Sequence, residues 1–205
     1  MAHDHGHEPR TTSIAPEHVN AVLLAGGRSV RFGRDKSSLL WKGETLLERG
    51  LRVLRQAVPE VRVGLPPQAS GQPEAWSDIR QRGIVVEDDP VGIGPLGCFQ
   101  AALASARTEW TLFMAVDLPW VESDHVRRLL ATPCGPDGVV GTDGREIQPA
   151  FAVYNVSLLR QVQDAIHRKH YALKGLVDQG RFRTCVLPSE ILRNVNRPQD
   201  LPADE

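Results

Sequence analysis

The sequence predicts an α/β domain: a mostly parallel sheet with helices on both faces. Three observations carry this. Short apolar runs alternate along the chain with segments of helical spacing, the pattern of strand–helix–strand crossovers. The runs ending near Ala25, Val86 and Val116 pass straight into glycines or carboxylates. Right-handed crossovers put such strand ends on one edge of the sheet, where open α/β sheets bind their ligands.

Residues 19–25 are a nearly continuous apolar run that stops at Gly26-Gly27, as a buried strand entering a tight loop does. Over 44–57, Leu46, Leu47, Leu51, Val53 and Leu54 recur at helical spacing with arginines between them. A short strand is expected at 61–65, and 66–71, rich in Pro, Gly and Ser, reads as loop. Residues 84–86 are another brief strand, running into Glu87-Asp88-Asp89-Pro90. Beyond a second glycine loop, 91–97, the alanine-rich stretch 98–107 is helical by propensity. Residues 110–116 are the most apolar strand and stop at Asp117-Leu118-Pro119; 121–130 read as a helix capped by Ser123. Further on, 135–144 are turn-rich, 148–154 a strand, 157–167 and 172–179 helices, and 183–187 a last strand.

The chain has 205 residues and shows no internal repeat or inter-domain linker, so one domain is expected over 18–205. It follows a flexible, His-containing tail over 1–17. His3, His5 and His7 could hold a divalent metal, but a solvated tail is the simpler reading. Hydrophobic residues at 41% and charged ones at 24% are ordinary for a soluble globular protein. A formal net charge of −1 gives no global reason to expect nucleic acid or an anionic membrane as partner. Any phosphate affinity must come from a local site. Cys98, Cys134 and Cys185 lie far apart with no C-x-x-C pair; neither a zinc site nor a disulfide framework is suggested, and a cytoplasmic location fits. No apolar run approaches the roughly 20 residues needed to span a bilayer, and residues 1–10 lack the apolar segment of a secretory signal.

That local site is sought in 24–36, L-A-G-G-R-S-V-R-F-G-R-D-K. Glycines after a buried strand admit positive φ and close approach to a ligand, and successive backbone N–H groups in such a turn form a concave anion site. Arg31 suits a bidentate grip on phosphate, whereas Lys36 acts as a mobile point charge. A glycine turn with solvated charges on its rim is the alternative. Neither G-x-x-x-x-G-K-[ST] nor G-x-G-x-x-G is present, which disfavours a P-loop NTPase and a dinucleotide dehydrogenase.

L-A-G-G-x-S-x-R-x-G-x-D-K resembles the signature loop of the molybdenum cofactor guanylyltransferases, the MobA-type enzymes; relatives acting on sugar phosphates and isoprenoid precursors carry L-A-A-G instead. Glu87-Asp88 followed by Gly94-Pro95-Leu96-Gly97 resembles the family's second motif, Asp117-Leu118-Pro119 its metal-binding aspartate, and Asn194-Val195-Asn196-Arg197-Pro198 its N-V-N-x-P element. The resemblance spans 20–201. Phe32 stands where the family usually has methionine, and Gly64 where relatives tend to carry an asparagine near the guanine base; Cys98 reads as a neutral variation.

The resemblance implies a Rossmann-like fold of nucleotidyltransferase type that passes GMP from GTP to molybdopterin cofactor and releases pyrophosphate, with Mg²⁺ as cofactor. It implies substrate contacts at Leu24, Ala25, Gly26, Gly27, Ser29, Lys36, Gly64, Asp88, Gly94, Pro95, Leu96, Gly97, Asn194 and Asn196. Arg31 and Lys36 would hold the triphosphate, Asp117 the metal, Asp88 the nucleoside, and Asn194 with Asn196 the acceptor pterin; Asp35 would orient the loop. Cofactor-delivery proteins or apoenzymes are further partners such an activity implies. The chemistry agrees: one anion must attack the α-phosphorus of another, so catalysis rests on charge neutralisation and in-line positioning rather than on a protein nucleophile. Structural alternatives stand beside each assignment: Asp117 as a helix cap, Asp88 as a turn carboxylate before Pro90, and the two asparagines as a side-chain-stabilised turn before Pro198. Two other functions compete, a CTP-dependent molybdopterin cytidylyltransferase (or another small-molecule nucleotidyltransferase) and a non-catalytic nucleotide or cofactor carrier. L-A-G-G and N-V-N argue against the first, intact Lys36 and Asp117 against the second.

Overall fold

A computed structural model describes residues 13–26, 36–69, 72 and 74–202. In chain order the strands are β1 (Val19–Leu24), β2 (Leu40–Trp41), β3 (Glu44–Thr45), β4 (Glu60–Leu65), β5 (Val85–Glu87), β6 (Trp110–Ala115), β7 (Gly138–Thr142), β8 (Ile147–Asn155) and β9 (Phe182–Val186). The helices are α1 (Leu46–Arg55), α2 (Glu74–Gln81), α3 (Pro95–Ala104), α4 (Ser123–Ala131), α5 (Leu159–His167) and α6 (Leu173–Gln179).

β1 is buried at all six positions. A strand without a polar face needs partners on both edges and cover on both sides. β4 and β6 flank it in parallel, β5 extends the sheet beyond β4, and the full order is β5-β4-β1-β6-β8-β7-β9. β8 runs antiparallel to β6 and β7, while β9 is parallel to β7. The sheet is therefore mostly parallel, with one reversed strand.

Alternate residues of β1 face opposite layers, as a pleat requires. Ala21 and Leu23 pack with Leu47, Leu51 and Leu54 of α1, Trp76 and Ile79 of α2, and Val126 and Leu129 of α4. Val22 and Leu24 pack with Phe99 and Ala102 of α3, Val162 of α5, and Leu176 and Val177 of α6. In this second layer Phe99 stacks on Phe113 at 3.6 Å, and Tyr154 meets both edge-on. Each such ring contributes about 1.5–3 kcal/mol by burial.

Several elements differ from the sequence reading. α2 received no prediction, because its apolar stripe is only Trp76 and Ile79. The β2–β3 hairpin turns at Lys42-Gly43, both at positive φ, the geometry of a two-residue hairpin loop. β7 is a fully buried strand where turns were expected; Gly141 serves packing, since a Cβ there would lie 2.7 Å from Phe151. α3 starts three residues early, at Pro95, whose missing N–H costs nothing at a helix start. Ser123 is not the cap of α4 but its first residue; Glu122 holds the cap position, its N–H donating to His125 Nδ1. Of the tail expected over 1–17, residues 1–12 lie outside the described residues, whereas Ile14 is buried with its N–H on Leu130 O. The chain thus docks before residue 18.

Candidate active site

Three parallel strands are tied together where they end. The N–H groups of Ala25 and Gly26 both donate to Gly64 O, at 3.1 and 2.9 Å, and Val116 N–H donates to Leu24 O at 3.0 Å. A Cβ on Gly26 would lie 2.6 Å from Pro66 Cδ, so only glycine fits where the chain leaves the sheet. Gly27, Ser29, Arg31, Phe32 and Asp35 lie outside the described residues. The described chain resumes at Lys36, in a short 3-10 turn whose buried Ser37 accepts a 3.0 Å hydrogen bond from Trp76 Nε1. α2 thereby anchors the far end of the glycine loop.

Lys36 Nζ reaches across to β6 and the C-terminal segment. It donates to Asp117 Oδ2 at 2.8 Å and to Asn196 Oδ1 at 3.0 Å. Asn194 Nδ2 donates to Asp117 Oδ1 at 2.8 Å. The Lys36 and Asp117 side chains are 18% and 17% exposed, so the ion pair is largely shielded from water. Val195 is fully buried and donates its N–H to Asp117 O, a plug that aims both flanking asparagines at the cluster.

These contacts decide between the alternatives. Asp117 caps no helix, since α4 begins at Ser123 behind Glu122. The turn before Pro198 is stabilised by Asp200, not by the asparagines: Oδ2 accepts from the N–H groups of Asn196 and Arg197, which hold its carboxyl below the usual range.

Asp88 follows β5, its N–H donating to Leu65 O. Its half-buried carboxyl makes no hydrogen bond or ion pair with a described residue; burial first, then the Glu87 charge, push it up to about 6. Gly94, at φ 78, begins α3 beside open space.

Other expected contacts receive a different role. At Gly97 packing alone requires glycine, because a Cβ there would overlap Pro90 O. Leu96 is a core residue packed with Phe99. Gly64 is buried inside β4, and a Cβ on it would overlap Cys98 Sγ. Cys98 is thus not neutral but fills the space of the missing side chain, and Gly64 contributes its carbonyl. Leu24 and Ala25 are buried too, and their backbones tie the strand ends together.

Sequence reasoning missed Gln148, whose Nε2 donates to Asn194 Oδ1 at 2.8 Å and to Leu192 O at 3.3 Å. It also missed a pocket of about 480 Å³ beside Asn194, walled by Gln148, Asp143, Glu146, Glu190 and Arg193. No group of three or more His, Cys, Asp or Glu among the described residues is placed to hold a metal; Asp117 offers one carboxylate. No helix among the described residues is long and apolar enough to cross a membrane.

Charges of both signs meet at the carboxyl edge of the parallel sheet, where open α/β sheets bind their ligands, and the sequence match places the chain among the nucleotidyltransferases. Within that class, the chain belongs to the MobA-like NTP transferase family, whose sequence model matches residues 21–182. It is 34% identical over 189 residues to an Opitutus terrae protein named "Probable molybdenum cofactor guanylyltransferase", covering 87% of this chain and 91% of that one. Its fold resembles that of molybdopterin-guanine dinucleotide biosynthesis protein A from Archaeoglobus fulgidus, with a TM-score of 0.64 at 20% identity over 88% of this chain and 94% of that one. A Mycobacterium tuberculosis protein solved in complex with manganese shares the fold at a TM-score of 0.54 and 22% identity, over 83% and 88% of the two chains.

Proposed function

We propose that this chain is a molybdenum cofactor guanylyltransferase, transferring GMP from GTP to molybdopterin cofactor with release of pyrophosphate. The observation that carries the reading is Lys36, held between Asp117 and Asn196. One cation thereby joins the loop after β1, the end of β6 and the N-V-N segment. Substrate phosphates compete with Asp117 for this ammonium, and their arrival moves Lys36 onto charge that develops at the reacting phosphorus. Arg31 and the backbone of Gly27 and Ser29 hold the rest of the triphosphate. Asp88 and Gly94 meet the nucleoside, with Asp88 taking donors from it. Asn194 and Asn196 face the acceptor, whose phosphate oxygen attacks the α-phosphorus in line while pyrophosphate departs.

A divalent cation suits the residues present. Asp117 is one hard carboxylate donor at a partly open edge, and Mg²⁺ takes one or two carboxylates, the remainder coming from water and substrate phosphates. The manganese complex of the structural relative supports a divalent ion in this fold. Bound at Asp117, Mg²⁺ supplies Lewis-acid polarisation of phosphate and neutralises departing charge. Cys98, Cys134 and Cys185 are buried free thiols, which supports a cytoplasmic location. Pyrophosphate release tests the proposal: it is expected only when GTP, molybdopterin cofactor and Mg²⁺ are all present, and release independent of the acceptor would count against it.

A further inference from the structure

Asn194 can serve Asp117 only if its amide points one way, and the neighbouring groups determine which. Asp117, as a carboxylate, only accepts hydrogen bonds, so Asn194 must present Nδ2 to it. Its oxygen then faces Gln148 and requires a donor there. Leu192 O, also an acceptor, independently demands the amide nitrogen of Gln148. Both ends of the chain of contacts select one direction: Gln148 Nε2 to Asn194 Oδ1, then Asn194 Nδ2 to Asp117 Oδ1.

The backbone is built to aim Gln148. Opposite β7 the pairing shifts, so that Val140 faces Ala152 but Gly141 faces Gln148. Pro149 lies in the displaced stretch, where it has no ladder N–H to lose. The buried Tyr154 hydroxyl donates to Pro149 O at 2.8 Å and pins it. Bulges of this kind re-aim side chains beside active sites.

We propose that Gln148 is a positioning residue for the guanylyl-transfer site: its amide orients Asn194 so that nitrogen, not oxygen, meets Asp117. The catalytic consequence rests on the function proposed above. In Gln148→Glu the isosteric carboxylate cannot donate, so the Asn194 oxygen loses its donor and the amide is no longer held with its nitrogen on Asp117. Loss of a hydrogen bond to a charged group is worth about ten- to a hundredfold.

Steady-state kinetics on a double-mutant cycle tests this, with melting curves to verify folding. Gln148→Glu is expected to lower kcat about ten- to a hundredfold in the native background but less than about twofold in an Asn194→Ala background, because the effect passes through Asn194. An equal loss in both backgrounds, or none in the first, overturns the proposal. A second arm needs no turnover. In ligand-free, nitrogen-15-labelled protein, Gln148→Glu is expected to move the Asn194 side-chain NH₂ resonances while the backbone spectrum is retained; unmoved resonances overturn the proposal. Should the native chain show no transfer from GTP, the proposed function fails, and the resonances still decide the role of Gln148.

Discussion

Lys36 and Asp117 lie 81 positions apart, yet their charged atoms stand 2.8 Å from each other at the carboxyl edge of the sheet. Asp117 accepts on both oxygens, from Lys36 and from Asn194. The site therefore holds its own cation and anion together, the pair with which substrate phosphates would exchange under the proposed function.

Lys36→Ala removes the mobile charge. Turnover is expected to fall about 10²–10³-fold, the range for loss of one donor to developing charge. Asp117 keeps its Asn194 contact, so stability falls by only about 1–2 kcal/mol, or roughly 2–8 °C in melting temperature. Near-native kcat would remove Lys36 from the mechanism.

Asp117→Asn keeps the shape and deletes the charge. Activity is expected to fall at least about 10²–10³-fold, and Mn²⁺ binding in the presence of GTP, read by electron paramagnetic resonance, is expected to weaken. A metal titration matching that of the native chain would show that the cation sits elsewhere.

Asn196→Ala is expected to raise KM for the acceptor about tenfold, the value of roughly one hydrogen bond to a charged group, and to change KM for GTP less than twofold. A rise for GTP alone would place the acceptor on the wrong side of Lys36.

Asp88 carries a pH signature. Its carboxyl sits near 6 in the folded chain against an ordinary 3.8. Between those values the native state binds a proton that the unfolded chain has released, so stability falls as pH rises through the window, and the cost persists above it. Asp88→Asn removes that cost. Its stability relative to the native chain is expected to be better at about pH 8 than at about pH 3.5 by roughly 1–2 kcal/mol, a figure discounted for solvent screening. Urea unfolding at the two pH values measures it; equal differences would mean that Asp88 is solvated.

Gly64 and Cys98 form a size pair, because a Cβ at 64 would overlap Cys98 Sγ. Gly64→Ala is expected to cost about 1–3 kcal/mol through overpacking. Cys98→Ala, added to it, should recover most of that loss. Additive costs in thermal melts would show that the two do not compete for the same space.

How much of this was legible in the sequence depends on which interactions are local. The apolar runs that end on Ala25 and Asp117 announced both strands and the edge they share, and residue type and motif singled out Lys36, Asp117, Asn194 and Asn196, which the structure brings together. Gln148 was not legible. It is one amide in a strand, and its role depends on the register shift opposite Val140 and Gly141. The packing role of two glycines was not legible either: the absent side chains of Gly64 and Gly97 make room for Cys98 and Pro90. Both facts are tertiary and leave no periodic trace.

The most direct test supplies the purified chain with Mg²⁺, molybdopterin cofactor and an equimolar mixture of GTP, CTP, ATP and UTP, and identifies the dinucleotide product by mass spectrometry. The expected product is the guanine dinucleotide form of the cofactor, made in amounts matching the pyrophosphate released. A cytosine dinucleotide, or no dinucleotide at all, would contradict guanylyl transfer.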